Sequence, residues 1–193
     1  DEGPFIDSPL TDVTLNRPVT YTFPNPDTAN EGLFGGKASL TDVTLGGYVK
    51  NLSDYMFANT KITTIDASHV ETIGKNVFSN SPLASITLGS SARTIGANAF
   101  NSTKLTSITI PNSVNSIGVN AFVNCDDLNE LIIADGTGTL TVGYQDNGGA
   151  DWGPFYDSPL KKIVLGREIR YVDGNGNTFT PAEESDGFFA NED

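Results

Sequence analysis

The side chains able to do chemistry in this 193-residue chain are few and scattered. His69 is its single histidine and Cys125 its single cysteine. A transition-metal site gathers several such ligands at one point, and His69 has no Cys or second His at ligand spacing. Ser and Asp abound, but a hydrolytic triad also needs a base to take the nucleophile's proton. The one His lies inside a regular pattern, just before Val70. Carboxylates that cleave glycosides must face each other, with one kept neutral by burial. Asp126 with Asp127, and Glu183 with Glu184, are instead chain neighbours in turn-like sequence, where side chains diverge into water. Asp173-Gly-Asn175-Gly-Asn177 with Glu184 in twelfth place has the outline of an oxygen-ligand calcium loop. Its sixth place holds Thr178 where the sharp turn wants Gly, and Pro181 interrupts it. An ordinary Gly/Asn turn is the expectation there. No catalytic residue, metal ligand or cofactor is expected.

Charge excludes some partners. The formal net charge is −13, which repels phosphate backbones and anionic membrane surfaces, so neither nucleic acid nor membrane is an expected partner. No apolar run reaches the length of a membrane span. The acids are unevenly placed. Residues 122–157 and 173–193 hold acids and no Lys or Arg, while 158–172 carries Lys161, Lys162, Arg167 and Arg170. A basic band between acidic ones suits electrostatic steering of a partner; solubility alone also accounts for it. Tyr144 and Trp152 lie in the acidic stretch, where loop aromatics serve as binding anchors or cover the side of a widened coil.

These residues hang on a repeat. Phe57-Ala-Asn-Thr-Lys-Ile62, Phe78-Ser-Asn-Ser-Pro-Leu83, Phe100-Asn-Ser-Thr-Lys-Leu105 and Phe122-Val-Asn-Cys-Asp-Asp-Leu128 share one register. Each leads into an alternating triplet: Ile62-x-x-Ile65-x-Ala67, Leu83-x-x-Ile86-x-Leu88, Leu105-x-x-Ile108-x-Ile110 and Leu128-x-x-Leu131-x-Ile133. A second apolar pair closes the unit, as in Val70 with Ile73 or Val114 with Ile117. From Phe34 through Phe57, Phe78 and Phe100 to Phe122 the steps are 23, 21, 22 and 22 residues. Such a period predicts one solenoid coil per repeat. Each coil presents a short strand with alternate residues inward, stacked in parallel at about 4.8 Å per coil. Cys125 then occupies the position of Thr60, Ser81 and Thr103, which calls for a small packed residue rather than a reactive thiol.

The end units are longer. Gly3-Pro-Phe-Ile-Asp-Ser-Pro-Leu10 nearly repeats as Gly153-Pro-Phe-Tyr-Asp-Ser-Pro-Leu160, and Leu10-x-x-Val13-x-Leu15, Leu40-x-x-Val43-x-Leu45 and Leu160-x-x-Ile163-x-Leu165 join the set. Wider Phe spacing places insertions near 17–31, 134–152 and 173–186. The expectation is one mainly-β, right-handed solenoid domain over 1–193, with about seven to eight coils of about 21–23 residues. Gly187-Phe-Phe189 resembles Gly32-Leu-Phe34, and both ends lack a capping unit, so the domain is expected to be an internal fragment of a longer array.

The segment Leu105-Thr-Ser-Ile-Thr-Ile-Pro-Asn-Ser-Val-Asn-Ser-Ile-Gly-Val-Asn-Ala-Phe-Val-Asn-Cys125 resembles the BspA-like, or Treponema pallidum-type, leucine-rich repeat almost letter for letter. Departures are mild: Pro111 is replaced in other coils, and the Cys position is usually Ser or Thr. The resemblance implies a secreted or surface-anchored bacterial protein that is not an enzyme. It implies adhesion through protein partners, such as host extracellular-matrix proteins or other cells. A glycan-binding or spacer module is the alternative. A three-sided parallel β-helix would be the rival fold and would bring a polysaccharide-degrading enzyme with it; the Phe-anchored turn favours the leucine-rich type.

Overall fold

The computed structural model describes residues 3–21, 32–143, 153–173 and 178–179. Among these residues there is no helix; the first coil has one short strand, and each later coil is built from two short strands and a turn. The first strand of each coil comes from the alternating triplet: β1 (Asp12–Leu15), β2 (Asp42–Leu45), β4 (Thr64–Ala67), β6 (Ser85–Leu88), β8 (Ser107–Ile110), β10 (Glu130–Ile133) and β12 (Lys162–Leu165). They pair in parallel and in register, Ile65 beside Ile86, and Leu131 between Ile108 and Ile163. The ladder runs in three blocks, β1–β2, β4–β6 and β8–β10–β12. Backbone bonds from Lys61 N–H to the Leu40 carbonyl (2.9 Å) and from Lys104 N–H to the Leu83 carbonyl (3.0 Å) join the blocks. The β-branched residues at inward positions suit this pleated, half-buried surface.

The closing apolar pair makes a second sheet that the sequence pattern did not announce. It comprises β3 (Asn51–Leu52), β5 (Thr72–Ile73), β7 (Thr94–Ile95), β9 (Ser116–Ile117), β11 (Leu140–Gly143), β13 (Ile169–Val172) and β14 (Thr178–Phe179). All pairs are parallel except the last, in which β14 folds back antiparallel on β13. The insertion expected at 134–152 is therefore narrower: Leu140 and Val142 are fully buried in the core, with β9 on one side of their strand and β13 on the other.

Between the sheets lies the phenylalanine turn. Seven rings, Phe5, Phe34, Phe57, Phe78, Phe100, Phe122 and Phe155, stack face to face with centroids 4.7–5.8 Å apart. Offset stacks of this kind add to the hydrophobic gain of burial. A left-handed residue stands two places before and two after most of these rings: Asn76 and Asn80 around Phe78, Asn98 and Ser102 around Phe100, Asn120 and Asn124 around Phe122. Asn tolerates positive φ better than most residues, which explains its recurrence there. The turn makes a third ladder. N–H groups of Asn76, Phe78 and Asn80 donate to the carbonyls of Ala97, Ala99 and Asn101 in the next coil, at 2.8–2.9 Å. Asn98, Phe100 and Ser102 do the same to Val119, Ala121 and Val123.

The core between these three ladders is apolar and continuous from Val13 to Phe155. One exception is Lys37, 6% exposed, whose ammonium donates to the Ile6 carbonyl at 2.8 Å and so satisfies one of its protons inside the stack.

Candidate functional site

The buried column beneath the turn explains Cys125. Thr60 and Ser81 donate their hydroxyls to the carbonyls of Phe57 and Phe78 in their own coils. Cys125 and Ser158 donate instead to Phe100 and Phe122 of the coil before. Cys125 Sγ also lies 3.4 Å from Thr103 Oγ1. Burial pushes the thiol up to about 11, against the smaller opposing pull of Thr103. The nucleophilic thiolate is thus scarce at neutral pH, and the sulfur is fully buried. Alkylation by iodoacetamide at pH 8 is expected to be negligible in the native chain and complete once it is unfolded in guanidinium. Mass spectrometry reads both states; ready native labelling would contradict this assignment.

Asp126 and Asp127 sit in water, as their sequence setting suggested, while Glu183 and Glu184 lie outside the described residues. Lys104 Nζ lies 3.4 Å from Asp126 and 3.6 Å from Asp127, with all three side chains at least half exposed. The bond to Asp126 raises the Lys104 pKa, so the lysine is a permanent cation there. Solvated pairs of this kind hold little energy and leave no proton poised for transfer. Among the described residues, no three His, Cys, Asp or Glu side chains converge on a point where a metal ion would bind.

His69 projects from the turn after β4, exposed, beside Gly47. Its neighbour Asp66 accepts the Ser68 N–H at 2.9 Å, and this bond holds its carboxyl below the ordinary Asp range. A lowered pKa keeps Asp66 anionic into acid, so it serves as a fixed charge and not as a proton donor. Its contribution to folding is present above the unfolded Asp value and is lost as pH falls through the lowered one.

What remains is a face. Period-2 geometry turns one residue of every inward pair outward, and on the first sheet these residues form two rows. One runs Asp12, Asp42, Thr64, Ser85, Ser107, Glu130, Lys162, and the other Thr14, Thr44, Asp66, Thr87, Thr109, Ile132, Val164. The face is therefore graded. Three carboxylates, Asp12, Asp42 and Asp66, mark its first coils; hydroxyls fill the middle; an ion pair between Glu130 and Lys162 beside Ile132 and Val164 ends it. Asp12 and Asp42 are direct cross-strand neighbours of like charge, an arrangement that costs stability. Tyr48, on the turn after β2 where Gly47 abuts His69, is 75% exposed, the most exposed of the large apolar side chains described.

Tyr144 and Trp152, the aromatics singled out from sequence, lie outside the described residues, as does most of the calcium-like segment that starts at Asp173. Tyr48 was missed, although the rule that pointed to Tyr144 and Trp152 applies to it. It follows Gly46-Gly47 and occupies no inward position of the repeat.

A family model described as a BspA type leucine rich repeat region matches residues 5–141 in six copies. No curated protein matches the chain.

Proposed function

Because the chain belongs to the BspA-type leucine-rich-repeat family, we propose that it is a non-enzymatic adhesion module of a bacterial surface or secreted protein. Its ligand is a protein, of the host extracellular matrix or of another cell's surface. The observation that carries this reading is the graded outer face of the first sheet, with its adjacent carboxylates, together with the exposed Tyr48 on the turn after β2. Asp12 and Asp42 repel each other while the face is bare, and a partner's Lys or Arg set between them would relieve that repulsion. Tyr48 supplies the large, stiff aromatic that interfaces favour as an anchor. A non-enzymatic role agrees with the buried thiol, the solvent-borne acids and the surface His69, none of which is set up to attack a substrate.

The test is biolayer interferometry against a panel of matrix proteins, run beside a glycan array. Binding of a matrix protein is expected, and Tyr48→Ala combined with Asp42→Asn should weaken it about tenfold or more, with the melting temperature unchanged. Glycan hits without protein hits would replace this reading with a glycan-binding module. Silence in both assays would leave a spacer. Release of products from pectin or host glycans would overturn the non-enzymatic assignment.

A further inference from the structure

The corner between the two sheets is held differently from the phenylalanine turn. Its turns close on themselves: the N–H groups of Val49, Val70, Ala92 and Val114 donate to Gly46, Ala67, Gly89 and Pro111 of their own coils. Cationic side chains then reach across coils to the turn carbonyls. Lys50 donates to the His69 carbonyl at 3.2 Å and Arg93 to the Ser113 carbonyl at 3.4 Å, each in the next coil. Arg167 reaches further. It follows β12, yet its guanidinium donates to the carbonyls of Asn112 (2.9 Å) and Pro111 (3.1 Å), which follow β8. β10 stands between β8 and β12, so the side chain passes over the turn that leaves β10. Two glycines open this path. At Gly166 a Cβ would lie 2.4 Å from the Asp135 nitrogen, so only glycine lets residues 166–167 rest on that turn. At Gly136 a Cβ would come within 3.1 Å of Asn112 and 3.6 Å of the Arg167 Cδ, in the space the arm crosses.

We propose that Arg167 is a strap that ties the turns after β8 and β12 together and thereby holds shut the turn between them, residues 134–139. The closed turn is bonded to the strap's own coil. Gly136 N–H donates to the Gly166 carbonyl at 3.2 Å, Leu140 N–H to the Glu168 carbonyl at 2.9 Å, and the Thr139 hydroxyl to the Glu168 carboxylate at 3.1 Å. A guanidinium suits this task, because its planar fork reaches two carbonyls at once and its charge strengthens both bonds. The strap is also poised to let go. Its Nε is buried without a hydrogen-bond partner among the described residues, and burial disfavours the cation, lowering its pKa. Those costs oppose the two bonds, so the turn opens locally while the backbone ladders on either side stay intact. Of the basic band at 158–172, Arg167 is therefore engaged within the fold and not offered to a partner.

Hydrogen exchange of the 193-residue chain, read amide by amide by NMR, tests the strap. In Arg167→Ala the amides of Gly136 and Leu140 are expected to exchange about tenfold faster or more, while those of Asn76 and Phe78 in earlier coils keep their wild-type rates. Arg167→Lys should recover little of the protection, since one ammonium cannot match the fork. Gly136→Val keeps Arg167 but fills the space it crosses, and should speed exchange at Leu140 likewise. Arg170→Ala removes a neighbouring exposed cation from the same band and should change neither amide. Unchanged exchange at Gly136 and Leu140 in Arg167→Ala would overturn the proposal. So would a loss spread evenly over the chain, which marks a general loss of stability, or a full rescue by Lys, which reduces Arg167 to a positive charge.

Discussion

Phe100→Ala is expected to destabilise the chain by about 3–5 kcal/mol, the range for emptying a large aromatic site in a packed core. Phe100 is fully buried between Phe78 and Phe122, with ring centroids 5.5 and 5.0 Å away. The substitution removes its own burial and also strips one partner from each neighbouring ring. The coil cannot collapse into the gap, because Asn98, Phe100 and Ser102 fix its backbone to the next coil by three hydrogen bonds. A lesion in mid-array also weakens the coupling between the coils on either side, since each coil touches only its neighbours. Urea denaturation followed by circular dichroism should show a lower midpoint and a broader transition. Phe5→Ala should cost much less, as Phe5 is 39% exposed and, among the described residues, stacks only on Phe34. Equal losses at the two positions would contradict the importance given to the interior stack.

Gly118→Ala should cost about 1–3 kcal/mol for the opposite reason, excess volume where none fits. A Cβ there would lie 2.4 Å from the Ala97 nitrogen and 2.7 Å from the Gly96 carbonyl carbon, both backbone atoms of the previous coil. Neither atom can swing aside as a side chain would. The coils must separate, which strains the 2.8 Å bond from Gly118 N–H to the Ile95 carbonyl. Gly74, Gly96 and Gly143 hold the equivalent place in other coils, and each is similarly crowded by backbone. Gly138→Ala is the control: a Cβ added there would meet nothing within 4 Å, so the change should be neutral or stabilise by about 0.4–1 kcal/mol through the unfolded chain. Thermal melts of the two variants measured together decide it, and a harmless Gly118→Ala would mean that coil spacing is softer than the ladders imply.

The parts of the fold that could be read in advance are those that repeat a recognisable period. Phe at 21- to 23-residue steps announced stacked coils, in which the rings also turn out to stack, and the Leu-x-x-Ile-x-Leu triplets announced parallel strands in register, which stand as expected. The second sheet escaped notice because a strand such as Thr72–Ile73 has two residues, too few for alternation to show. Its sign was the Gly after each Ile, which reports backbone of the previous coil pressing on that position. Leu140–Gly143 falls within the expected insertion for the same reason, its partners being distant in sequence. Ile163 and Leu165 have the letters of core residues, yet they are 38% and 51% exposed, which depends on neighbouring chain and not on their own type. Tyr48 shows a different limit: an aromatic inside an ordinary-length coil stands out less than those in unusual segments, though exposure is set by the turn and not by coil length.

The backbone hydrogen bonds that join successive coils at the phenylalanine turn run one way. From Tyr55 to Lys75, Asn76 to Ala97, Asn98 to Val119 and Asn124 to Tyr156, the N–H belongs to the earlier coil and the carbonyl to the later one. Peptide dipoles aligned in this manner add, as they do along a helix. The array consequently has an electrical sense of direction on that side, with hydrogen-bond donors facing its C-terminal end and acceptors its N-terminal end. A coil inserted backwards would set donor against donor at every turn. Lengthening or shortening such a protein by whole repeats is therefore a vectorial operation, in which a transplanted coil must keep its polarity as well as its sequence.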